Sequence, residues 1–200
     1  MPLSVKKIAT REKILEAALS VFAQKGYHRA IVDDIVRVSG TSKGAVYHHF
    51  PNKEALVLAL VDEFASHLAA AAAEAIASRH GALKKVEGAL RAALETFARH
   101  RQLARILVLE AVSLGPTYEA KRAEVHRLFA DLIKGYLDEA VSEGSIPPLN
   151  TEVATLAWLG AVNEIVIQWL HSGTPDLLTE ALPALTRLLL RSIEAKAPSP

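Results

Sequence analysis

Twenty consecutive residues, Ile31 to Phe50, constrain this chain more than any other stretch. They read Ile31-Val32-Asp33-Asp34-Ile35-Val36-Arg37-Val38, then Ser39-Gly40-Thr41, then Ser42-Lys43-Gly44-Ala45-Val46-Tyr47-His48-His49-Phe50. Ile31, Ile35 and Val38 recur at helical spacing, as do Val46 and Phe50. Two short helices around a glycine-containing corner form a helix-turn-helix, in which the first braces the second. Gly40 suits the positive φ of that corner, and Ser42 suits the N-cap of the second helix. Pro51 breaks that helix, and Asn52 caps a longer one through about Ala77.

On a helical wheel, Val46 and Phe50 point toward the fold. Gly44, Ala45 and His48 point away, flanked by Lys43 and Tyr47. A rod of about 12 Å fits across a major groove. Ala45 suits a thymine methyl and His48 a base edge, whereas Lys43 and Tyr47 suit phosphate oxygens. Taken singly, each residue has another reading: Tyr47 packs on the next helix, His48 and His49 are solvated, and Gly44 serves close helix packing. Charge agrees with a nucleic-acid-facing head. Residues 1–55 hold nine Lys/Arg against five Asp/Glu, and the remainder fourteen against seventeen.

Upstream, Ile14, Ala18, Val21 and Phe22 mark a first helix, with Thr10 as its cap and Gly26 at its end. Downstream, helical periodicity continues over about 82–99, 101–113, 117–143, 151–171 and 175–195, without a strand pattern. The chain is all-α: a three-helix head over 1–52 and a helical bundle over 53–200.

The absence of cysteine removes disulfides and thiolate chemistry. Uninterrupted apolar runs fall short of the ~18 residues of a membrane span, so a cytoplasmic protein without a membrane partner is expected. No metal or cofactor is expected either. Helix-bundle metal sites repeat Glu-x-x-His, and the nearest approach, Glu63 with His67, reads as a surface contact. No nucleophile elbow or phosphate loop is present. An all-α enzyme or a helical adaptor remains the alternative, but either leaves the outward Lys43–His48 face unexplained.

Residues 10–60 resemble the N-terminal domain of TetR-family regulators. The resemblance runs through Ile14-Leu15-Glu16-Ala17-Ala18, Phe22, Gly26-Tyr27, Asp34-Ile35, Ser39-Gly40, Ser42-Lys43-Gly44, Val46-Tyr47-His48-His49-Phe50 and Asn52-Lys53-Glu54-Ala55-Leu56. It implies a dimer reading a palindromic operator, a repressor rather than an enzyme. It also implies that Lys43, Tyr47 and His48 contact DNA and that Lys53 contacts a phosphate. The expected DNA-facing set is Ser42, Lys43, Gly44, Ala45, Tyr47, His48 and Lys53. Ala30 departs from the family, which often has a capping, phosphate-touching Thr there; Asp33 is expected to cover part of the capping.

In the body, Trp158, Val162, Ile165 and Trp169 form one apolar stripe, and Leu178, Leu182, Leu185 and Leu189 a second. Both suit a four-helix homodimer interface, the alternative being the protomer's own core. Gly160, Glu164, Gln168 and His171 line one side of the first of these helices. Glu164 there reaches a dimer partner, lines a pocket or is simply exposed. Residues expected around a ligand are Phe64, Phe97, Leu103, Leu107, Glu110, Tyr118, Phe129 and Trp158, an apolar set that suits an apolar effector. Arg101, Arg105, Lys121 and Arg122 suit an anionic head. The pattern from Gly160 to Trp169 is similar to the fatty-acid-metabolism repressors of the family, which implies a long-chain acyl-CoA effector.

Overall fold

The structure, a computed structural model, describes residues 3–194, and the side chains of 7–109, 111 and 114–193. The helices are α1 (Leu3–Lys25), α2 (Val32–Ser39), α3 (Lys43–His49), α4 (Lys53–Ala77), α5 (Ala82–Arg99), α6 (Arg101–Arg105), α7 (Pro116–Ser142), α8 (Thr151–Ser172) and α9 (Leu182–Glu194). A π turn (Ile106–Glu110) and a 3-10 turn (Ala111–Leu114) follow α6, and a second π turn (Leu177–Ala181) precedes α9. No strand occurs among the described residues. The chain packs as two compact units, one of residues 1–65 with 101–121, the other of 66–100 with 122–200.

In the first unit α1 packs on α2 and α3 through Ile14, Ala18, Phe22, Ile35 and Val46, all fully enclosed. Leu56, Val57 and Leu60 add the inner face of α4. Two expectations are corrected. Thr10 lies inside α1, because nothing between Leu3 and Thr10 breaks a helix. Of the Ile31/Ile35/Val38 stripe only Ile35 is buried, and Ile31 and Val38 are more than half exposed. A two-turn helix seats its middle on α1 and leaves both ends of a seven-residue spacing outside.

The neighbouring inward position is Asp34, a buried carboxylate. Its Oδ1 lies 2.7 Å from Lys25 Nζ and 2.9 Å from Arg37 Nη2, and its Oδ2 accepts the Ile31 N–H at 3.4 Å. It ties the end of α1 to the start of α2 and caps that start, the role expected of Asp33. The Lys25 hydrogen bond, above all, holds its carboxyl below the usual range.

The core of the second unit gathers Ala82, Val86, Leu137, Ala140, Ile146, Trp158, Leu189 and Ile193. Asn150 caps α8 by accepting the Val153 N–H at 3.1 Å. Lys85 reaches from α5 to Glu139 on α7 at 3.1 Å. By length and composition α4 and α8 are apolar enough to cross a bilayer, although neither is an uninterrupted apolar run; half of that stretch of α4 is buried inside the protein.

Candidate nucleic-acid interface

The corner between α2 and α3 is built by three short side chains and one glycine. Gly40 has φ of 63°, the left-handed region that glycine enters without strain. Ser39 Oγ and Thr41 Oγ1 are hydrogen-bonded at 2.7 Å across it. Ser42 Oγ accepts the Ala45 N–H at 3.1 Å and so starts α3. Val46 and Phe50 anchor the helix to the core.

With that side held, the opposite side faces solvent. Ser42, Lys43, Gly44, Tyr47 and His48 are exposed and Ala45 is half-buried. Tyr47 is 45% exposed, too open for a packing residue. A Cβ built on Gly44 would meet nothing nearer than Ser42 Oγ at 4.0 Å. No helix packs close enough to require a glycine there, which removes the packing explanation of this residue. Lys43 Nζ lies 2.7 Å from Asp33, both largely exposed, and that carboxylate keeps the ammonium protonated above its ordinary value. A phosphate arriving at α3 meets this ammonium beside a carboxylate it must displace.

Lys53 is placed differently. Its Nζ donates to the backbone carbonyls of Tyr27 at 2.7 Å, Ala30 at 3.0 Å and His28 at 3.4 Å, and it lies 4.2 Å over the Tyr27 ring. An ammonium has three N–H donors, and all three have partners here. Burial lowers its pKa. In this geometry Lys53 clasps the α1–α2 connection to the start of α4, and its ammonium is engaged there rather than standing open for the implied phosphate contact. Its signal was hidden because the carbonyls it finds lie more than twenty residues upstream.

The residues expected to line a ligand site are divided between the two units. Phe64, Leu103, Leu107 and Tyr118 are buried in the first. Tyr118 donates its hydroxyl to the Leu107 carbonyl within the π turn. Phe97, Phe129 and Trp158 belong to the second; Trp158 is a core residue whose Nε1 donates to Ser192 Oγ at 3.1 Å. The side chain of Glu110 lies outside the described residues. Sequence reasoning missed Thr155, which is 2% exposed and whose hydroxyl has no hydrogen-bond partner among the described residues. A threonine on an apolar helix gives no warning of this, since its hydroxyl usually returns to the preceding turn.

The two apolar stripes turn inward. Trp158, Trp169, Leu182, Leu185 and Leu189 are buried within the protomer, and Val162 and Ile165 are half-buried. The buried members of these stripes are taken up by the protomer's own packing, whereas Val162 and Ile165 stay partly open and Leu178 is 40% exposed. The open apolar side chains of α8 are Val153 and Leu156, each 60% exposed, and that of α9 is Leu188 at 61%. Gly160 continues the α8 face, and a Cβ there would meet nothing within 4 Å. Glu164 lies on the same exposed line and accepts from Gln168 Nε2 at 2.8 Å.

Residues 14–60 match the family described as bacterial regulatory proteins, tetR family, and residues 79–193 match the tetracyclin repressor-like C-terminal domain. The fatty acid metabolism regulator protein of Bacillus subtilis is 25% identical over 185 residues, 92% of this chain and 95% of its own. The transcriptional regulator TtgR of Pseudomonas putida is 32% identical over 169 residues, 80% of each chain. The crystal structure of FadR from Bacillus subtilis in complex with stearoyl-CoA has the same fold, with a TM-score of 0.81 at 24% identity over 91% of this chain and 98% of that one. These relatives are regulators, not enzymes, and the matched segments include the whole corner from Gly40 to Phe50. The chain belongs to the TetR family of bacterial transcriptional regulators.

Proposed function

We propose that this protein is a dimeric cytoplasmic repressor that holds a palindromic operator through α3 and releases it when a long-chain acyl-CoA binds the helical body. The observation that carries the DNA-binding reading is the outward side of α3. Gly44 faces open space, with Ala45, Tyr47 and His48 around it and Lys43 at the helix start. A short helix with a bare backbone patch and polar tips suits close approach to a groove.

Dimerisation through α8 and α9 is supported by Val153, Leu156 and Leu188 standing open beside Gly160. A helix-interior glycine costs about 1 kcal/mol relative to alanine, and among the described residues no neighbour accounts for it. A second α8 crossing closely at Gly160 would. Two heads then have to stand about 34–36 Å apart to enter successive major grooves.

The effector reading is supported by similarity to the Bacillus subtilis fatty acid metabolism regulator and by the stearoyl-CoA in the related crystal structure. Thr155 offers a buried hydroxyl in need of a partner. α4 contributes residues to both units and is the natural element through which an effector shifts the spacing of the heads. The shift is limited to the effector's difference in affinity for the two arrangements.

Fluorescence anisotropy on a duplex carrying the protein's own promoter tests both parts. Salt-dependent binding, released by palmitoyl- or stearoyl-CoA but not by coenzyme A alone, is the expected result. Retained binding at saturating acyl-CoA of every chain length refutes the effector class. Failure to bind duplex at any salt concentration refutes the regulator mechanism built on α3.

A further inference from the structure

The first turns of α1 carry Lys7 and Arg11, four residues apart and therefore on one face of the helix. Ile14 and Leu15, one turn further on, are buried, so this face passes from core to solvent toward the helix start. Arg11 Cζ lies 5.4 Å from the centroid of the Phe50 ring. Phe50 closes α3, the His49 ring lies 6.3 Å from it, and the His48 ring 5.3 Å from that of His49. Two cations from α1 are thus brought to the C-terminal end of the helix that presents Tyr47 and His48.

Among the described residues no carboxylate answers them: neither Lys7 nor Arg11 forms an ion pair, and Asp33 is held by Lys43 at 2.7 Å. The charges acting on His49 are all of one sign, from His48, Lys7 and Arg11; with burial as the larger cause, they hold its imidazole below the ordinary histidine range. A surface with two uncompensated cations side by side is relieved by an anion. Stacking on Phe50 orients the Arg11 guanidinium, whose planar donors match phosphate oxygens.

We propose that Lys7 and Arg11, beside the His48–His49 pair, each bind one of two successive phosphates of the operator backbone beyond the groove-facing surface of α3. The site rests on the reading of α3 as the DNA-binding helix, since His48 belongs to both surfaces. That continuity favours nucleic acid over a free anion. A contact of this kind fixes the position of the head without reading sequence. The identity of the bases is left to Ala45 and His48.

The test is anisotropy titration of the wild type, Lys7→Gln and Lys7→Gln/Arg11→Gln on operator and unrelated duplexes between 50 and 200 mM salt. Each lost phosphate contact lowers the salt slope by about 0.9, so the double variant is expected to lose about 1.8 per bound subunit. Over this fourfold salt range its affinity then changes about 12-fold less than that of the wild type. The loss should be equal on both duplexes. Thermal melting checks the fold; should Arg11→Gln destabilise it, Lys7→Gln alone carries the test, with a slope lower by about 0.9. Wild-type binding with an unchanged slope in the folded variants overturns the site and leaves α3 as the DNA helix. Absence of any wild-type binding overturns both. Saturable binding of inorganic phosphate at the His49 resonances, with the duplex slope unchanged, reassigns the cluster to a free anion and also overturns the proposal.

Discussion

Replacing Gly44 with alanine separates what the fold needs from what the operator needs. In the interior of a helix alanine is favoured over glycine by about 1 kcal/mol. Gly44 is the second residue of a seven-residue helix, where fewer helical hydrogen bonds depend on it, so a gain of about 0.5 kcal/mol is the better estimate. No steric term opposes it, because the added Cβ meets only Ser42 Oγ, at 4.0 Å. For a chain of this size that gain raises the melting temperature by about 1–2 °C. On DNA the sign reverses. A methyl group on the face nearest the groove holds the backbone off, and losing one charge-assisted hydrogen bond to phosphate costs about 1.5–3 kcal/mol, or roughly 10- to 150-fold in affinity per subunit.

Calorimetry and operator anisotropy on the same Gly44→Ala preparation read the two terms. Higher melting temperature with weaker binding is the expected pair. A lower melting temperature means that the space around Gly44 is not open. Undiminished affinity means that the α3 backbone never comes near the duplex, and the reasoning from an unneeded glycine to a close contact fails.

Lys53→Met removes three carbonyl partners and should destabilise the fold by about 1–2 kcal/mol in urea melts, allowing for partial exposure, while leaving the salt slope of operator binding unchanged; a slope lower by about 0.9 would restore Lys53 as a phosphate ligand. Asp34 binds its proton less readily in the fold than its ordinary value of 3.8, so its stabilisation is present above that pH and is lost as pH falls through the lower folded value. His49, also held low, begins to destabilise the fold as pH falls below its ordinary 6.5, so Asp34 is read from the difference in melting between wild type and Asp34→Asn below about pH 4; parallel curves there count against the ion-pair assignment. Leu156→Asp with Leu188→Asp should convert a dimer to a folded monomer by analytical ultracentrifugation, and a persistent dimer moves the interface elsewhere. Thr155→Val removes an unpaired buried hydroxyl and should stabilise the free protein by about 1 kcal/mol; loss of stability shows that the hydroxyl is satisfied.

The head was legible in the sequence because its local signals agree. The Val46/Phe50 spacing, the glycine at the corner, Ser42 before α3 and Asn52 before α4 each act within a few residues, and in the structure each does what its chemistry dictates. The local signals mislead at the helix ends, at Thr10, Ile31, Val38 and Asp33, and the remaining exceptions are long-range. The destination of Lys53 and the company Arg11 keeps with Phe50 depend on residues far along the chain, and no periodicity encodes them.

The body resisted reading for a different reason. α8 has apolar side chains on two faces, and helical spacing is satisfied by both: Trp158 and Trp169 on one, Val153 and Leu156 on the other. Periodicity states that a face is buried without stating against which chain. In the structure the two tryptophans are enclosed by the protomer itself, and Ser192 is positioned to receive the Trp158 indole N–H. The opposite face holds Val153, Leu156, Ala157 and Gly160 before giving way to Glu164 and Gln168, a sequence of small or branched side chains ending in a polar rim. A second backbone approaches such a face closely only near the glycine, so any partner helix should cross α8 close to Gly160. Gly160→Leu should then disrupt pairing without disturbing the protomer, because among the described residues nothing lies within 4 Å of a Cβ at that position.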